Sequence, residues 1–297
     1  MKFGQVPNPQ EIDFQLPPDH PATADVLTEH STGKGMTISI GCAKWNKTDL
    51  KNFYPKGIKD ELAYYATQFN SIELNATFYQ APTKQQVEVW KSKTPADFKF
   101  FPKIPNTISH FKRLEQVKPL VDDFCTAISA FEEKLGMVFL QMHDNFGPKN
   151  FDRVEKFVHD FPSHVPLAIE VRNAEWFSDP ATAEKLFRLL EANRTTNVIV
   201  DTAGRRDLLH MRLTSPTAFV RYVGANHASD YSRLDEWISR IVAWEKQGLQ
   251  HLFFFVHQNV ELASPLLSAY LIKKLNTELG ISLNVPSTLT DASLFPS

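Results

Sequence analysis

Leu167-Ala168-Ile169-Glu170-Val171-Arg172 alternates two kinds of side chain without a break. Leu167, Ile169 and Val171 share one parity and are wholly apolar, while Ala168, Glu170 and Arg172 share the other. Successive side chains of a strand point to opposite faces, so the stretch reads as a strand with two unlike sides. One side is fit to be covered by helices. The other ends in charge, as the interior of a parallel barrel does near the C-terminal ends of its strands.

Seven further β-branched or aromatic runs surround it, at 37–42, 72–78, 98–104, 137–142, 197–201, 219–224 and 252–257. Between most of them the apolar spacing changes from two to 3.6 residues. Leu62, Tyr65, Ala66 and Phe69 fall at helical spacing, as do Val121, Phe124, Ile128, Phe131 and Leu135, then Leu234, Trp237, Ile238 and Ile241. The exception is 202–217, bracketed by Gly204 and Pro216, where the sixth connection is expected to lack a regular helix. Eight strand–helix repeats predict an α/β fold, a TIM (β/α)8 barrel in a single domain, because eight parallel strands close on themselves. A doubly wound open sheet is the alternative. No Gly-x-Gly-x-x-Gly follows the first strand, which weakens its dinucleotide-binding form. The barrel is placed at 36–280. Before it, 1–35 reads as an arm rich in proline (Pro7, Pro9, Pro17, Pro18, Pro21), laid over the domain or left loose and closed by Gly33 and Gly35; after it, 281–297 reads as a tail.

Composition agrees with a soluble globular protein: of 297 residues 42% are hydrophobic and 22% charged. With 32 basic against 34 acidic side chains the net charge is −2, which excludes a wholesale basic surface but leaves room for a local basic cleft. The longest apolar runs, such as 252–256, fall far short of the ~20 residues of a membrane span, and no membrane is expected. The chain opens without the apolar stretch of a secretory leader, and two cysteines, Cys42 and Cys125, make neither a disulfide framework nor a thiolate metal site. A cytoplasmic protein is expected, and the Asn75-Ala76-Thr77 sequon is then without consequence.

On the polar parity lie Glu73, Lys103, Gln141, Glu170, Arg172, Asp201, Arg221 and His257, mostly in the C-terminal halves of their strands. Barrel active sites are built at that end. Thr37, Ser39, Gly41 and Ala43 of the first strand are small and leave space. Lys103, Arg172 and Arg221, with His110 in the loop after the third strand, suit an anionic ligand. Glu73, Glu170 and Asp201 are candidate general bases or, with His257, ligands of a divalent cation. No local metal signature supports the latter, since His143 and His257 would have to meet in space; no metal site is assigned and the cofactor is left unknown. Nor is there a Gly-x-Ser-x-Gly elbow or a phosphate-binding glycine loop. Trp45, Phe78 and Tyr79 follow strand ends and could wall the site, with core packing the competing role for Phe78.

Taken together, Ile40-Gly41-Cys42-Ala43-Lys44-Trp45, Phe53-Tyr54-Pro55, Glu73-Leu74-Asn75-Ala76-Thr77-Phe78-Tyr79, Ile108-Ser109-His110, Phe139-Leu140-Gln141, Glu170-Val171-Arg172, Trp176-Phe177, Asp201-Thr202 and Val220-Arg221-Tyr222 resemble the YecE-like family, known as domain of unknown function 72. The resemblance spans about 38–275 and implies a TIM barrel. It brings no activity. Likeness to metal-dependent endonuclease and isomerase barrels is fold-level analogy. Where the family has Gly-Thr-Ser-Gly-Trp this chain has Cys42, Ala43 and Lys44, and where the family tends to an Asn pair it has His257-Gln258-Asn259.

The expected function is therefore an enzyme for a small anionic, phosphate- or carboxylate-bearing substrate, working by phosphoester hydrolysis or sugar-type isomerisation. Glu73, Glu170, Asp201 and His110 form its catalytic set. Lys103, Arg172, Arg221, Gln141, Asn75, Trp45, Lys44 and His257 form its substrate-binding set. A non-catalytic binding protein for a nucleotide, nucleic acid or metabolite is the alternative, and a polar mouth that is purely structural is the third reading.

Overall fold

The computed structural model describes residues 3–29 and 35–288. The Gly33 end of the arm and the tail beyond 288 lie outside them. Eight strands run in chain order: β1 (Thr37–Cys42), β2 (Ser71–Leu74), β3 (Lys99–Pro102), β4 (Val138–Gln141), β5 (Leu167–Glu170), β6 (Thr196–Thr202), β7 (Thr217–Gly224) and β8 (His251–Gln258). Helices alternate with them: α1 (Ala22–Glu29), α2 (Glu61–Gln68), α3 (Ala76–Tyr79), α4 (Lys84–Ser92), α5 (Lys118–Ile128), α6 (Phe151–Asp160), α7 (Glu175–Ser178), α8 (Pro180–Ala192), α9 (Ser229–Gln247) and α10 (Ser264–Leu279). The second run is shorter than its β-propensity suggests. At Asn75 the chain turns into α3, held by the Thr77 hydroxyl, which donates to the carbonyls of Leu74 (2.9 Å) and Lys103 (2.7 Å).

The strands form a curled, parallel six-stranded sheet ordered β1-β8-β7-β6-β5-β4, and a parallel pair β2-β3. The single eight-stranded sheet expected from the sequence is thus divided at two joints. Between β3 and β4, Gly136 N–H donates to Phe100 O (2.8 Å) and Ile104 N–H to Phe139 O (2.9 Å), with isolated bridges at Phe100–Leu135 and Lys103–Phe139. Between β1 and β2, side chains replace the ladder. Asn70 accepts from Ile40 N–H (3.0 Å) and donates to Ile38 O (2.8 Å), and the Tyr65 hydroxyl accepts from Cys42 N–H (2.7 Å) and donates to Ser71 O (3.0 Å). The contact is close: a Cβ on Gly41 would sit 2.1 Å from Ser71 O. Gly41→Ala should therefore force the joint apart and destabilise by about 1–3 kcal/mol, the usual cost of overpacking; an unchanged urea midpoint would show that the joint yields freely.

Apolar packing fills three zones. One lies between the strands and α2, α4, α5, α6 and α8, a second between β1, β6–β8 and α9–α10, and both bury the apolar parities of the strands. The third lies on the opposite face and is largely aromatic: Phe101, Met137, Phe139, Ala168, Val198, Val200, Phe219 and Phe255. Its rings meet edge-on or tilted, with Phe219 and Phe255 centroids 5.3 Å apart and Phe101 and Phe255 4.8 Å apart.

Between β6 and β7 only a short 3-10 turn (Ala203–Leu208) intervenes. Helix α1 of the N-terminal arm occupies that sector. Thr23 donates to Met211 O (3.2 Å) and accepts from Leu213 N–H (3.2 Å), and His20 N–H donates to Met211 O (3.1 Å). The arm, expected to lie over the domain or be left loose, is tied down at several of its described residues: Leu16 N–H to Glu236 (2.7 Å), Trp244 Nε1–H to Asp19 (3.0 Å), and Arg206 Nη2 to the carbonyls of Phe14 and Gln15 (3.0 Å each). Upstream it reaches the C-terminal end of the strands, where Gly204 N–H donates to Gly4 O (2.7 Å). Gly4 takes a φ of +72° there, and a Cβ would collide with Thr202 at 2.0 Å.

Candidate functional site

Arg221, buried on β7, stands at the centre of a polar network drawn from both sheets. It grips Glu73 of β2 with two hydrogen bonds, Nε to Oε2 (2.8 Å) and Nη2 to Oε1 (2.7 Å). Its Nη1 donates to Glu170 Oε2 of β5 (2.6 Å) and to Gln141 Oε1 of β4 (3.2 Å). Glu170 Oε1 accepts from Arg172 Nε, Gln141 Oε1 accepts from Lys103 Nζ (3.0 Å), and Glu73 Oε1 accepts from Asn75 Nδ2 (2.7 Å). His257 Nε2 lies 3.0 Å from Glu73 Oε2. The aromatic zone lies beneath, with Phe139 5.4 Å under the Arg221 guanidinium.

All of these groups but Asn75 are buried, and a buried charge costs several kcal/mol unless paired. The pairing fixes the protonation states. Burial alone would raise the Glu73 pKa, but Arg221 and His257 hold it well below the usual carboxylate range. Burial is likewise outweighed at Glu170, by Arg172, Arg221 and Lys103, and its pKa is lowered. Both carboxylates are ionised and spent on guanidinium groups. Lys103 differs. Among the described residues it has no carboxylate within ion-pair distance, and its amine lies 4.0 Å from the centre of the Phe78 ring. Burial first, then Arg221 and Arg172, bring its pKa down to about 7.

Among the described residues, three buried polar atoms at the C-terminal ends of β5 and β8 have no hydrogen-bond partner: Arg172 Nη2, His257 Nδ1 and Asn259 Oδ1. Above Arg172 lies the arm, with the Phe3 ring 3.7 Å from the guanidinium carbon. His110, on the π-helical turn Thr107–Phe111, packs against Phe78 (5.0 Å) and His143 (5.2 Å) at the edge of the network. Burial, then the neighbouring His143, Lys103 and Arg172, push its pKa down to about 4, so the ring is neutral near pH 7.

The structure thus brings together Glu73, Asn75, Lys103, Gln141, Glu170, Arg172, Arg221 and His257, with His110 beside them. It does not bring Asp201, Lys44 or Trp45. The expectation for Asp201 is corrected: Val198 and Val200 are the β6 residues in the aromatic zone, so the Asp201 parity faces the helices. There Asp201 accepts from Arg233 Nη2 (2.8 Å), Arg206 Nη1 and Trp237 Nε1 (2.7 Å). On this helix-facing side of β6, α9 supplies partners to Asp201, while Asn197 meets Thr214 and His210 of the following connection. After Cys42 the chain leaves the strand, Lys44 pairs with Asp49 at the surface (3.0 Å), and Trp45 packs edge-on against Trp90 (6.1 Å). Sequence reading missed Phe3, for which an aromatic among prolines gives no signal. Among the described residues no three His, Cys, Asp or Glu side chains group to hold a metal ion, and no helix is long and apolar enough to cross a membrane.

Comparison with known proteins finds a family model described as "Protein of unknown function DUF72" matching residues 39–289. The chain is 28% identical over 283 residues to the UPF0759 protein YecE of Escherichia coli (strain K12), covering 87% of this chain and all of that protein. It is also 28% identical over 153 residues to the UPF0759 protein YunF of Bacillus subtilis (strain 168), covering 48% of this chain and 53% of that one. A crystal structure of a DUF72 family protein from Enterococcus faecalis V583 superposes with a TM-score of 0.66 at 19% identity, covering 83% of this chain and 99% of that one. At that identity the likeness speaks for the fold alone.

Proposed function

This chain belongs to the DUF72 family of proteins of unknown function, and from that premise we propose that it is an enzyme taking a small phosphate- or carboxylate-bearing substrate at the C-terminal ends of its strands. Supporting this reading is one atom above all, Arg172 Nη2. The Arg172 side chain is 7% exposed and its Nε is committed to Glu170, yet Nη2 is buried without a partner. An unsatisfied buried donor costs about 1–3 kcal/mol, and an anion's oxygen removes the deficit. Lys103, partly charged near pH 7 and within electrostatic reach of Arg172, favours the same sign of ligand. In this reading the two sheets act as one eight-stranded barrel, its joints bridged by Asn70, Tyr65 and the β3–β4 hydrogen bonds, and the network lies in its mouth.

Glu73 and Glu170 then serve as fixed counter-charges that orient Arg221 and Arg172. Phosphoester hydrolysis and sugar-type isomerisation are the reactions to screen. The saturation of both carboxylates favours a second reading, recognition of such an anion without turnover.

The expected result is thermal stabilisation. A ligand at 100 times its Kd adds about 2.7 kcal/mol, which for a domain of this size corresponds to roughly 5–10 °C in Tm. Phosphate, citrate or pyruvate should produce it, and Arg172→Met should abolish it while leaving the far-ultraviolet spectrum unchanged. Equal shifts in the variant and the parent, or no shift with any anion, would remove the site.

A further inference from the structure

We propose that Lys103 is a nucleophile whose amine condenses with the carbonyl of a small oxo acid, the acid's carboxylate resting on Arg172. The inference rests on the anion site above and adds to it the bond that forms there.

Geometry carries it. The amine follows the end of β3, where Lys103 N–H donates to Leu74 O (3.2 Å) and the Thr77 hydroxyl donates to Lys103 O, fixing the backbone. Lys103 is 5% exposed. An ammonium presents three donors, but among the described residues Nζ finds one acceptor, Gln141 Oε1 at 3.0 Å. A neutral amine gives one N–H to Gln141 and keeps a lone pair. The groups acting on it from neighbouring elements are Arg221 on β7 and Arg172 after β5, both cationic, with Glu170 and Glu73 opposing them. Each carboxylate is in direct contact with a guanidinium, which blunts its pull on Lys103. The remaining walls are apolar: the Phe78 ring at 4.0 Å and Phe139 at 5.9 Å. A lysine desolvated beside other cations is the arrangement that yields a reactive amine near neutral pH. The buried Nη2 of Arg172, without a hydrogen-bond partner among the described residues, supplies a donor that a carboxylate oxygen matches.

In the step, the Nζ lone pair attacks the carbonyl carbon and the C=O π pair moves to oxygen, which takes a proton from water while nitrogen loses one. The resulting hydroxyl leaves as water with a second proton as the C=N bond forms. Amine, carbonyl and one proton give a protonated imine and one water, with no oxidant or reductant.

Incubating the intact chain with pyruvate, reducing with borohydride and mapping peptides by mass spectrometry tests this directly. An ordinary lysine is only about 0.04% deprotonated at pH 7, so carboxyethylation of Lys103 should exceed that of surface lysines by at least on the order of 10–100-fold. The labelling rate should rise through pH 7 and level off well below pH 10. Lys103→Arg should lose the label without redistribution, and Arg172→Met should weaken it. Label spread evenly over surface lysines overturns the proposal. Thermal stabilisation by pyruvate with no label on Lys103 also overturns it, yet leaves the anion site standing; absence of both removes the site as well.

Discussion

Arg221→Met should lower the free energy of unfolding by about 3–5 kcal/mol, the range for removing one partner of a buried ion pair. The side chain is replaced by one of similar reach, so the loss is electrostatic in origin. Glu73 and Glu170 remain, buried, with only His257, Asn75 and Arg172 among the described residues to satisfy them. Its pH dependence identifies the cause. In the parent both carboxyl pKa values are depressed, so their stabilisation is present above the ordinary carboxylate range and is lost as pH falls through the folded-state values. In the variant, burial without Arg221 should raise them, and protonation then relieves the penalty as pH falls. The gap between the two proteins in urea should be widest near pH 7 and narrower at pH 4.5. A loss under about 1 kcal/mol, or a gap independent of pH, would mean that the network is a solvated cluster.

Asp201→Ala should be comparably costly, again about 3–5 kcal/mol, but with a different local effect. Arg233 keeps Asp230 at 3.1 Å and loses Asp201, while the Trp237 indole N–H loses its acceptor. Arg206 spans Asp201 and the carbonyls of Phe14 and Gln15, so the arm loses its anchor as well. Thermolysin should cut near Phe14 in the native variant far faster than in the parent. Asp201→Asn, which retains an acceptor for Trp237, should fall between them. If cleavage of the arm is unchanged, its other ties, such as Leu16 to Glu236 and Asp19 to Trp244, hold it without Arg206.

These two positions also mark how far sequence carries. Arg221 was readable because its neighbours Val220 and Tyr222 are apolar and it alone interrupts the interior parity of its strand. The same rule misplaced Asp201: alternation tells which residues share a face, not which face is the interior. β6 turns Val198 and Val200 inward and Asp201 outward, where Arg233 and Trp237, thirty-odd residues later, satisfy it. The absent helix after β6 was visible as lost periodicity. That α1 fills the gap was not, since an eight-residue helix among prolines shows little on its own and its fit depends on contacts distant in the chain. The joint at Gly41 was legible only as a small residue, and the Phe3 ring over Arg172 left no trace in local pattern.

The filling of that gap by α1 also bears on biosynthesis. Its contacts at Met211 and Leu213 lie 188 and 190 residues downstream, and such non-local closures form late because chain entropy must be overcome first. At ribosomal rates of about 5–20 residues per second, Leu16, Val26 and Leu27 wait roughly ten seconds or more for partners, so α1 emerges well before the segment it docks on. During that interval its apolar side chains are candidates for chaperone capture, and rare-codon pauses before position 213 should lengthen it.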